Sequence, residues 1–372
     1  MTATSRLLPT LDEREALAWA RGRDPARADA SGDAGPSPEA VRAILEEVRH
    51  GGDEALLRLA ARHDGGVPAA LRVPVERCHR ALEGLDPDRR AALELARDNL
   101  VRWHEAQRRS EPPLEVLPGV STWREFRPIR RVGLYAPGGR AAYPSSLLMA
   151  AVPARVAGCG EVVACSPAGP SGEPAEAVLA AAALAGVDEM YAVGGAHALA
   201  ALAYGTESIA PVDKIFGPGG SWVNAAKRAL FDTVAVDLPA GPSEIVVWTR
   251  PDADADLAAA ELVAQAEHGP DSRCALVVDG EANAGVFADA GAFADAVRAK
   301  IEERVGRLPG ERRAVAAASL RRGAAVIARY GTDAAAWIDE VAPEHLAIHG
   351  AGATARLDLV SNAGAVFLGE RT

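Results

Sequence analysis

The 372-residue chain lacks the features that mark disulfide-stapled or membrane-spanning proteins. It has four cysteines, with neither a C-x-x-C motif nor a regular spacing: Cys78, Cys159, Cys165 and Cys274. Isolated cysteines of this kind are typical of small buried side chains in a reducing cytosol, so no disulfide framework is predicted. The longest apolar run, from Ala177 to Val187, is about half the length of ~20 residues that a membrane-spanning helix needs, and its alanines predict a buried helix.

The first residues of the chain do not resemble a signal peptide, and its charge balance does not favour a basic surface. Its first residues, MTATSRLLPTLDEREALAWARGRD, contain no apolar h-region. Acidic residues outnumber basic ones by 51 to 40, which gives a net charge of −11. Because no dense Lys/Arg run supplies the positive face that nucleic-acid binding requires, the sequence excludes bulk DNA or RNA as a partner. A cytoplasmic protein with no membrane partner is predicted.

The first hundred residues are predicted to be mostly helical. Residues 1–24 indicate a short helical arm, and a Gly/Asp/Pro/Ser-rich loop follows. Pro38 is typical of the first turn of a helix, and this helix is expected to end at Gly51-Gly52. Residues 74–101 again favour helix. With 372 residues, of which 49% are hydrophobic, the chain is long enough for at least two domains with substantial cores.

From Pro128 onward, short apolar runs alternate with glycine turns and alanine-rich helices. The segments predicted to contain strands are RRVGLYAP, EVVACSP, EMYAVGG, DKIFGPGG, TVAVDLPAGPSEIVVW and CALVVDG. This alternation of strand and helix predicts an α/β fold with a parallel, doubly wound sheet that is covered by helices on both faces. The pattern weakens after residue 280.

Three glycine-rich turns follow predicted strands: Gly138-Gly139, Gly194-Gly195 and Gly217-Pro218-Gly219-Gly220. Such turns leave N–H groups free at the amino end of a helix, where they can hold a phosphate. None of them matches G-x-G-x-x-G followed by an acidic residue, so an ordinary dinucleotide fingerprint is absent. Each turn alone is equally compatible with a tight βα connection, but three in one α/β region favour a nucleotide or phosphorylated ligand.

Gln265 and His268 stand three residues apart at a predicted helix end and share one face. Their amide oxygen and imidazole could both reach one metal ion. The alternative is that His268 caps the carboxyl end of the helix, where the dipole favours a cation. Zinc usually takes more ligands, and Gln is rare among them, so the spacing alone favours the capping role.

Two further motifs carry candidate groups for proton transfer. The Ala-Pro-Glu-His-Leu segment places Glu344 and His345 side by side, and a histidine is suited to general-base work near neutral pH. The alternative is a solvated loop histidine beside a glutamate at a helix start, which the motif alone favours. In Pro-Ala-Gly-Pro-Ser-Glu, Ser243 is predicted to donate a hydrogen bond at a rigid turn, since no G-x-S-x-G motif is present.

Seven segments, in this order, resemble the histidinol dehydrogenase family. They are GLYAPGGRAAYPSSLLMAAVPARVAG, AVGGAHALAALAYGTE, VDKIFGPGG, DLPAGPSE, LVAQAEHGPDS, APEHL and NAGAVFLG, within Arg131 to Gly369. The resemblance implies a zinc-dependent homodimer. It also implies that the substrate L-histidinol is oxidised to L-histidine with two NAD+, through a bound aldehyde.

The resemblance implies roles for individual residues. Gln265 and His268 would be zinc ligands that bind the substrate through the metal. His345 would be the base that takes the alcohol proton, and Glu344 would activate water for the second oxidation. These roles agree with the chemistry, because an alcohol loses its O–H proton together with a hydride, and the aldehyde must add water before a second hydride leaves. Ser243 matches a family position that lines the substrate cleft.

Three residues are predicted to contact NAD. Tyr135 matches a family position that lines the cofactor side of the cleft. His197 stands where the family usually has Gln, and Gly220 stands where it usually has Asn. Either change could alter the affinity for NAD. The two departures motivate an alternative, in which the chain is a paralogue that oxidises a different alcohol.

The family continues past the NAGAVFLG segment through an Asp and a His that complete its zinc site, whereas this chain is written to Thr372. We therefore expect the C-terminal small domain to be absent, zinc to bind poorly through two ligands, and turnover to be low. A second alternative is a remnant that binds a nucleotide or a partner without catalysis.

The predicted architecture is two incomplete Rossmann-like doubly wound domains with a short N-terminal helical arm. The arm comprises residues 1–24. One domain combines residues 25–134 with residues 243–372 and carries the zinc and catalytic motifs. The other domain, residues 135–242, is the predicted NAD side.

Overall fold

The computed structural model describes residues 6–22, 35–138, 142–238, 243–279 and 284–370, with only the helical backbone described at 284–288. The chain divides into two compact units. We call residues 34–240 the central unit, and residues 1–33 together with 241–372 the split unit. Gly139 of the first glycine turn and the residues directly before Ser243 lie outside the described residues.

In chain order, the helices of the described residues are α1 (Glu13–Ala20), α2 (Pro38–His63), α3 (Val75–Glu83), α4 (Pro87–Gln107), α5 (Pro144–Ala157), α6 (Glu176–Leu184), α7 (Gly195–Tyr204), α8 (Ser221–Leu230), α9 (Ala255–Ala266), α10 (Ala284–Arg307), α11 (Gly310–Arg321), α12 (Gly331–Val341) and α13 (Ala353–Leu357). The strands are β1 (Arg72–Val73), β2 (Leu114–Leu117), β3 (Val120–Thr122), β4 (Arg131–Tyr135), β5 (Glu161–Ser166), β6 (Glu189–Ala192), β7 (Lys214–Phe216), β8 (Ala235–Val236), β9 (Glu244–Thr249), β10 (Arg273–Asp279), β11 (Ala324–Ala328), β12 (His345–Ile348) and β13 (Ala365–Leu368).

The central unit is built on a six-stranded sheet of order β1-β6-β5-β4-β7-β8. Neighbouring strands are parallel, except that β1 runs antiparallel to β6. From β6 to β8 this is the strand order of a doubly wound Rossmann-type sheet, in which the direction of winding reverses between β4 and β7. The predicted α/β class is confirmed.

Helices cover both faces of this sheet. Successive side chains of a strand point to opposite faces, so alternate residues of β5 meet different helices. Val163 and Cys165 pack with residues of α2, α7 and α8. Val162 and Ala164 pack with residues of α3, α5 and α6. All four side chains are fully buried, which explains why the strand is a continuous apolar run in the sequence.

The division into units differs from the predicted grouping of the chain. Residues 34–134 belong to the central unit and not with residues 243–372. The reason is long-range pairing: β1 extends the central sheet by pairing Arg72 with Tyr191 of β6, and α3 packs against α6. A two-residue strand has no local sequence pattern that would indicate its partner.

Helix α2 is kinked at the point where the sequence predicts its end. Gly52 has φ +52° and ψ −139°, with helix on both sides of it. The Glu207 carboxylate accepts a hydrogen bond from the Asp53 N–H at 2.7 Å and fills the space that a Cβ at position 52 would need. The positive φ and the close carboxylate both require glycine, so the glycine pair bends the helix instead of ending it.

The split unit contains a second sheet, all parallel, of order β11-β10-β9-β12-β13. It has the same doubly wound order, with the reversal between β9 and β12. The predicted helical arm is present as α1 and belongs to this unit. Leu8 before it is fully buried in the core, and Trp19 stacks on Trp337 of α12 with 5.6 Å between ring centroids.

After residue 280, where the alternation of strand and helix in the sequence weakens, the structure contains three more strands, β11, β12 and β13, which the sequence does not predict. They are only four or five residues long. The described residues contain no helix that is long and apolar enough to cross a membrane. All four cysteines are free and buried, as predicted.

Candidate active site

The predicted catalytic residues meet at the amino-terminal edge of the sheet in the split unit. β9 begins at Glu244, directly after Ser243, and β12 begins at His345, directly after Glu344. The two strands are parallel neighbours in which His345 is paired with Ile245. Because their first residues are in register, the segments that precede them lie side by side.

The Glu344 carboxylate is held by two hydrogen bonds. Its Oε2 accepts from the Ser243 hydroxyl at 2.7 Å and from the Glu244 N–H at 3.2 Å. The Glu344 N–H in turn donates to Glu244 Oε1 at 3.3 Å. Ser243 is therefore the hydrogen-bond donor that the sequence predicts. The Glu344 side chain is 53% exposed, so the carboxylate is fixed in direction and still open to a ligand.

The His345 imidazole is oriented so that one nitrogen remains free to accept a proton. Its Nδ1 lies 3.1 Å from the Glu244 carbonyl oxygen. A carbonyl oxygen only accepts, so we assign the hydrogen of the neutral ring to Nδ1 and the proton-accepting role to Nε2. Glu344 Oε2 lies 3.7 Å from Nδ1 and faces the positive charge that the ring gains on protonation. This tautomer is the one that a general base requires.

Glu244 is a residue of the site that the sequence analysis does not single out. It contacts both Glu344 and His345, and its Oε2 forms an ion pair with Arg273 at 3.1 Å. Arg273 donates to the Trp19 carbonyl at 2.7 Å and lies over the Trp19 ring. Glu244 and Arg273 are paired in the register of β9 and β10. This ion pair joins residues of two different strands, so no local sequence pattern predicts it.

We expect Glu244→Ala to lower both stability and turnover. The substitution leaves Arg273 without its carboxylate and the Glu344 N–H without its acceptor, so the free energy of unfolding should fall by roughly 2–3 kcal/mol. The value of kcat should fall about tenfold, because Glu344 loses one of the contacts that position it. Urea unfolding and steady-state kinetics measure the two effects.

Glu303→Ala is the matched control for this substitution, because Glu303 pairs with Arg307 on the surface of the same unit. Exposed ion pairs contribute little, so its free energy of unfolding should change by less than about 0.5 kcal/mol. Equal losses in the two variants would show that the Glu244–Arg273 pair is only a surface contact.

Helix α9 brings three polar side chains to the same edge of the sheet. It follows β9 and returns to the start of β10, so its carboxyl end lies where these strands begin. Glu261 and Gln265 are four residues apart in α9 and share one face, whereas His268 lies two residues beyond the end of the helix at Ala266. Burial raises the pKa of the Glu261 carboxyl, and the charge of His345 opposes this shift. Glu261 is a second acidic residue near the imidazole that the sequence analysis does not identify.

Gln265 and His268 fit two positions of a metal site. The Gln265 side chain is 8% exposed and its amide nitrogen has no hydrogen-bond partner, so this buried amide is available to a ligand. His268 is exposed, and its N–H donates to the Gln265 carbonyl at 3.2 Å. Within the described residues, no three His, Cys, Asp or Glu side chains converge to hold a metal ion. Two donors do not complete a four-coordinate zinc site, and we derive no reaction step through the metal.

The predicted cofactor residues belong to the central unit. Tyr135 and Gly220 lie where its strand order reverses, whereas His197 follows β6, which β5 separates from β4. Tyr135 ends β4, and the neighbouring strand β7 ends at Phe216. Doubly wound sheets bind ligands at the carboxyl ends of their strands, at such a switch point. A Cβ at Gly217 would overlap the Tyr135 carbonyl. Only glycine therefore allows the residue after β7 to lie this close to the end of β4. Burial raises the pKa of the Tyr135 hydroxyl to about 12, and the group is protonated at neutral pH.

The Gly194-Gly195 turn does not offer the free N–H groups that the sequence predicts. The Gly194 N–H donates to Asp64 Oδ2 at 2.9 Å, and the Gly195 N–H donates to the Tyr135 hydroxyl oxygen at 3.2 Å. His197, in the first turn of α7, is buried with its Nε2 3.4 Å from Asp64 Oδ1. Both amides are engaged by the protein's own groups, so in this turn the structure favours the tight βα connection over a phosphate site.

The Gly217–Gly220 turn is more open. The Gly217 N–H donates to Asp237 Oδ2 at 2.8 Å, and the buried Lys227 ammonium binds both Asp237 and the Gly217 carbonyl. Helix α8 then starts after Gly220 without a side-chain cap, and nothing lies within 4 Å of the Cβ position of Gly220. Of the two glycine turns that are fully described, this one leaves room for a phosphate at a helix amino end.

Comparisons with known proteins agree on one family. The family model described as histidinol dehydrogenase matches residues 29–372. Histidinol dehydrogenase of Rhizobium meliloti is 44% identical over 335 residues, which cover 89% of this chain and 74% of that protein. The Streptomyces avermitilis protein of the same name is 43% identical over 342 residues, which cover 91% and 75%. The crystal structure of histidinol dehydrogenase from Elizabethkingia anophelis matches with a TM-score of 0.87 at 29% identity, and covers 99% of this chain and 81% of that chain.

Two doubly wound sheets, with a carboxylate and an imidazole fixed at adjoining strand ends, define an α/β protein with a candidate acid–base site. The chain belongs to the histidinol dehydrogenase family. It is therefore an oxidoreductase of histidine biosynthesis that acts on a small molecule. The predicted family is confirmed, and it is favoured over the alternatives of a different alcohol dehydrogenase and a non-catalytic remnant.

Proposed function

We propose that this enzyme oxidises L-histidinol to L-histidine through a bound aldehyde, with NAD+ as the hydride acceptor. The observation that carries the proposal is the arrangement of Glu344 and His345 around Glu244. It combines an imidazole nitrogen that is free to accept a proton with an exposed, fixed carboxylate. Two consecutive oxidations, first of an alcohol and then of a hydrated aldehyde, need these two kinds of group.

His345 serves the first oxidation. Its Nε2 takes the hydroxyl proton while the carbinol carbon loses a hydride, so the O–H and C–H bonds break as the C=O bond forms. When bound, NAD+ supplies the acceptor for that hydride. The Glu244 carbonyl keeps the imidazole in the accepting tautomer. Without this contact, the ring would divide its time between two tautomers, of which only one works.

Glu344 serves the second oxidation. The aldehyde has no hydroxyl proton to lose, so water must add to its carbonyl before a second hydride leaves. The Glu344 carboxylate takes a proton from that water while the Ser243 hydroxyl and the Glu244 N–H hold its Oε2 in place. The hydrate then loses a hydride and a proton, which leaves the carboxylic acid.

The cofactor and metal assignments are parts of the same proposal. Tyr135 and the uncapped first turn of α8 after Gly220 would hold NAD. The buried His197 would help to position the turn before α7. Gln265 and His268 would supply two ligands to zinc, which provides a Lewis acid that orients the imidazole and amine of the substrate when it is bound.

The test is to incubate the enzyme with L-histidinol, NAD+ and zinc, and to measure NADH and L-histidine together. We expect two NADH for each L-histidine formed. If NADH forms while the aldehyde accumulates, the second oxidation belongs elsewhere. A clear preference for another alcohol in a substrate panel would contradict the proposed substrate.

We also infer that the enzyme is a homodimer, and that an exposed hairpin contributes to the contact between copies. β2 and β3 form an antiparallel pair that is separate from the other sheets. Six apolar side chains on the hairpin and just after it are 47–66% exposed: Leu114, Val116, Leu117, Val120, Trp123 and Phe126. A cavity of about 830 Å³, lined by Phe126, Met149 and Pro153 among other residues, adjoins this segment. A two-stranded hairpin is marginally stable in water, and several exposed apolar side chains on one short segment are typical of a protein contact.

Leu117→Asp tests the dimer. A charge in an apolar contact is expected to raise the dimer dissociation constant about a hundredfold, measured by light scattering over a dilution series. Val67→Asp is the control, because Val67 is 60% exposed in a loop of the same unit. The inference would be contradicted if the wild-type enzyme were a monomer. It would also be contradicted if Leu117→Asp and Val67→Asp had the same dimer dissociation constant.

A further inference from the structure

A buried carboxylate fills the amino end of helix α7. Asp64, the residue directly after α2, has a side chain that is only 3% exposed. Its Oδ2 accepts the Gly194 N–H at 2.9 Å, and its Oδ1 lies 3.4 Å from His197 Nε2. The amino end of a helix favours an anion through its unpaired N–H groups and its dipole. In this enzyme the anion at that position is part of the protein.

The backbone of the turn is shaped around this carboxylate. A Cβ at Gly194 would lie 2.5 Å from the Pro167 Cβ and 2.9 Å from Asp64 Oδ1, so the packing of Pro167 requires glycine at this position and the carboxylate lies close beside it. Gly195 has φ +57°, which also favours glycine. Its N–H donates to the Tyr135 hydroxyl. The turn is therefore fixed from one side by Asp64 and from the other by Tyr135.

Two histidines lie near the buried carboxylate, the exposed His63 and the buried His197. The rings of His63 and His197 are 6.3 Å apart between centroids and tilted by 41°. Burial is the main cause that lowers the pKa of His63, and the charges of His197 and Arg62 lower it further. His197 is the imidazole within ion-pair distance of Asp64. Its Nε2 makes no hydrogen bond within the described residues, so its contact with Asp64 Oδ1 at 3.4 Å is a close approach without hydrogen-bond geometry.

We propose that Asp64 and His197 are a buried positioning pair, which holds the turn between β6 and α7 in the shape that the nicotinamide cofactor binds. The inference rests on the proposed NAD-dependent function. Both side chains are at most 3% exposed, so neither one reaches a ligand directly. Gly195, in the same turn, is partly exposed, and its N–H donates to the Tyr135 hydroxyl. The pair therefore influences the cofactor through the positions of the Gly195 backbone and the Tyr135 hydroxyl. His197 thus acts by positioning and not by contact.

The test compares Asp64→Asn, His197→Gln and the double variant in titrations with NADH, followed by nicotinamide fluorescence. Asn keeps an oxygen for the Gly194 N–H but loses the charge that faces His197. We expect the NADH dissociation constant to rise about tenfold in Asp64→Asn and in His197→Gln, and no further in the double variant, because both remove the same pair. The KM for L-histidinol should change less than about twofold.

Asp188→Asn is the matched control. Asp188 also accepts a backbone hydrogen bond in the central unit, from the Val162 N–H at 2.7 Å, but it precedes β6 at the opposite end from the turn. Its NADH affinity should equal that of the wild type. A merely structural role of Asp64 would lower the melting temperature without the selective rise in the NADH dissociation constant.

Three results would overturn the inference: unchanged NADH affinity in a folded variant, additive losses in the double variant, or tighter binding in Asp64→Asn. Tighter binding would mean that the carboxylate repels the cofactor phosphates. If Asp64→Asn does not fold, unchanged affinity in His197→Gln is sufficient to reject the pair. A wild-type enzyme that oxidises L-histidinol with another acceptor and does not bind NADH would instead reject the proposed cofactor, and the pair with it.

Discussion

Replacing His345 with asparagine is expected to lower kcat by a factor of about 10²–10⁴, the usual contribution of a general base. The asparagine amide can donate to the Glu244 carbonyl as Nδ1 does, so the local backbone stays in place. It has no group that accepts a proton at neutral pH. The affinity for NADH should be unchanged, because the proposed cofactor contacts come from the central unit. Steady-state kinetics and NADH titration separate the two quantities.

His79→Asn is the control for the loss of an imidazole, because His79 is exposed on α3. Its kcat should match that of the wild type. If His345→Asn kept more than about a tenth of the wild-type kcat at unchanged stability, another group would have to be the base.

Replacing Glu344 with glutamine is expected to slow the second oxidation more than the first. Glutamine keeps an oxygen that can accept from the Ser243 hydroxyl and the Glu244 N–H, so the position of the side chain is preserved. It loses the negative charge that takes the proton of the attacking water. Formation of L-histidine should fall by a factor of about 10²–10³, while the first NADH forms with a smaller loss.

The two oxidations are separated by supplying L-histidinol or the aldehyde, and by trapping the aldehyde that is released. Glu340→Gln is the control, because Glu340 forms an exposed ion pair with Arg21 in the same unit. Equal slowing of both oxidations in Glu344→Gln would contradict a specific role in water activation, and would place the carboxylate in substrate binding or in support of His345.

The strands of both sheets could largely be predicted because their signal is local. β5 is an apolar run that is buried on both faces, and β9 is another of the same kind. β11, β12 and β13 are too short to stand out from the alanine-rich background, and their partners are set by long-range pairing. The hairpin of β2 and β3 was missed for a related reason, since its apolar side chains are exposed and follow no buried-strand pattern.

The chemistry of the candidate site could be predicted only as far as the groups themselves. Glu344, His345 and Ser243 were found because carboxylate, imidazole and hydroxyl groups are visible in short motifs. Which nitrogen of His345 accepts a proton depends on the Glu244 carbonyl, about a hundred residues earlier in the chain. The ion pair of Arg273 with Glu244 also depends on tertiary structure, because it forms only where β9 and β10 are neighbours.

The sequence by itself determined the class of fold, the family resemblance and the candidate acid and base, because each depends on residue type and on spacing within one segment. The tertiary structure decided that the Gly194 and Gly195 amides of the turn before α7 donate to Asp64 and to Tyr135. It also decided that residues 34–134 belong to the central unit. Both outcomes depend on contacts between segments that are far apart in the chain. Such contacts are selected by the packing of the whole unit, and no local pattern encodes them.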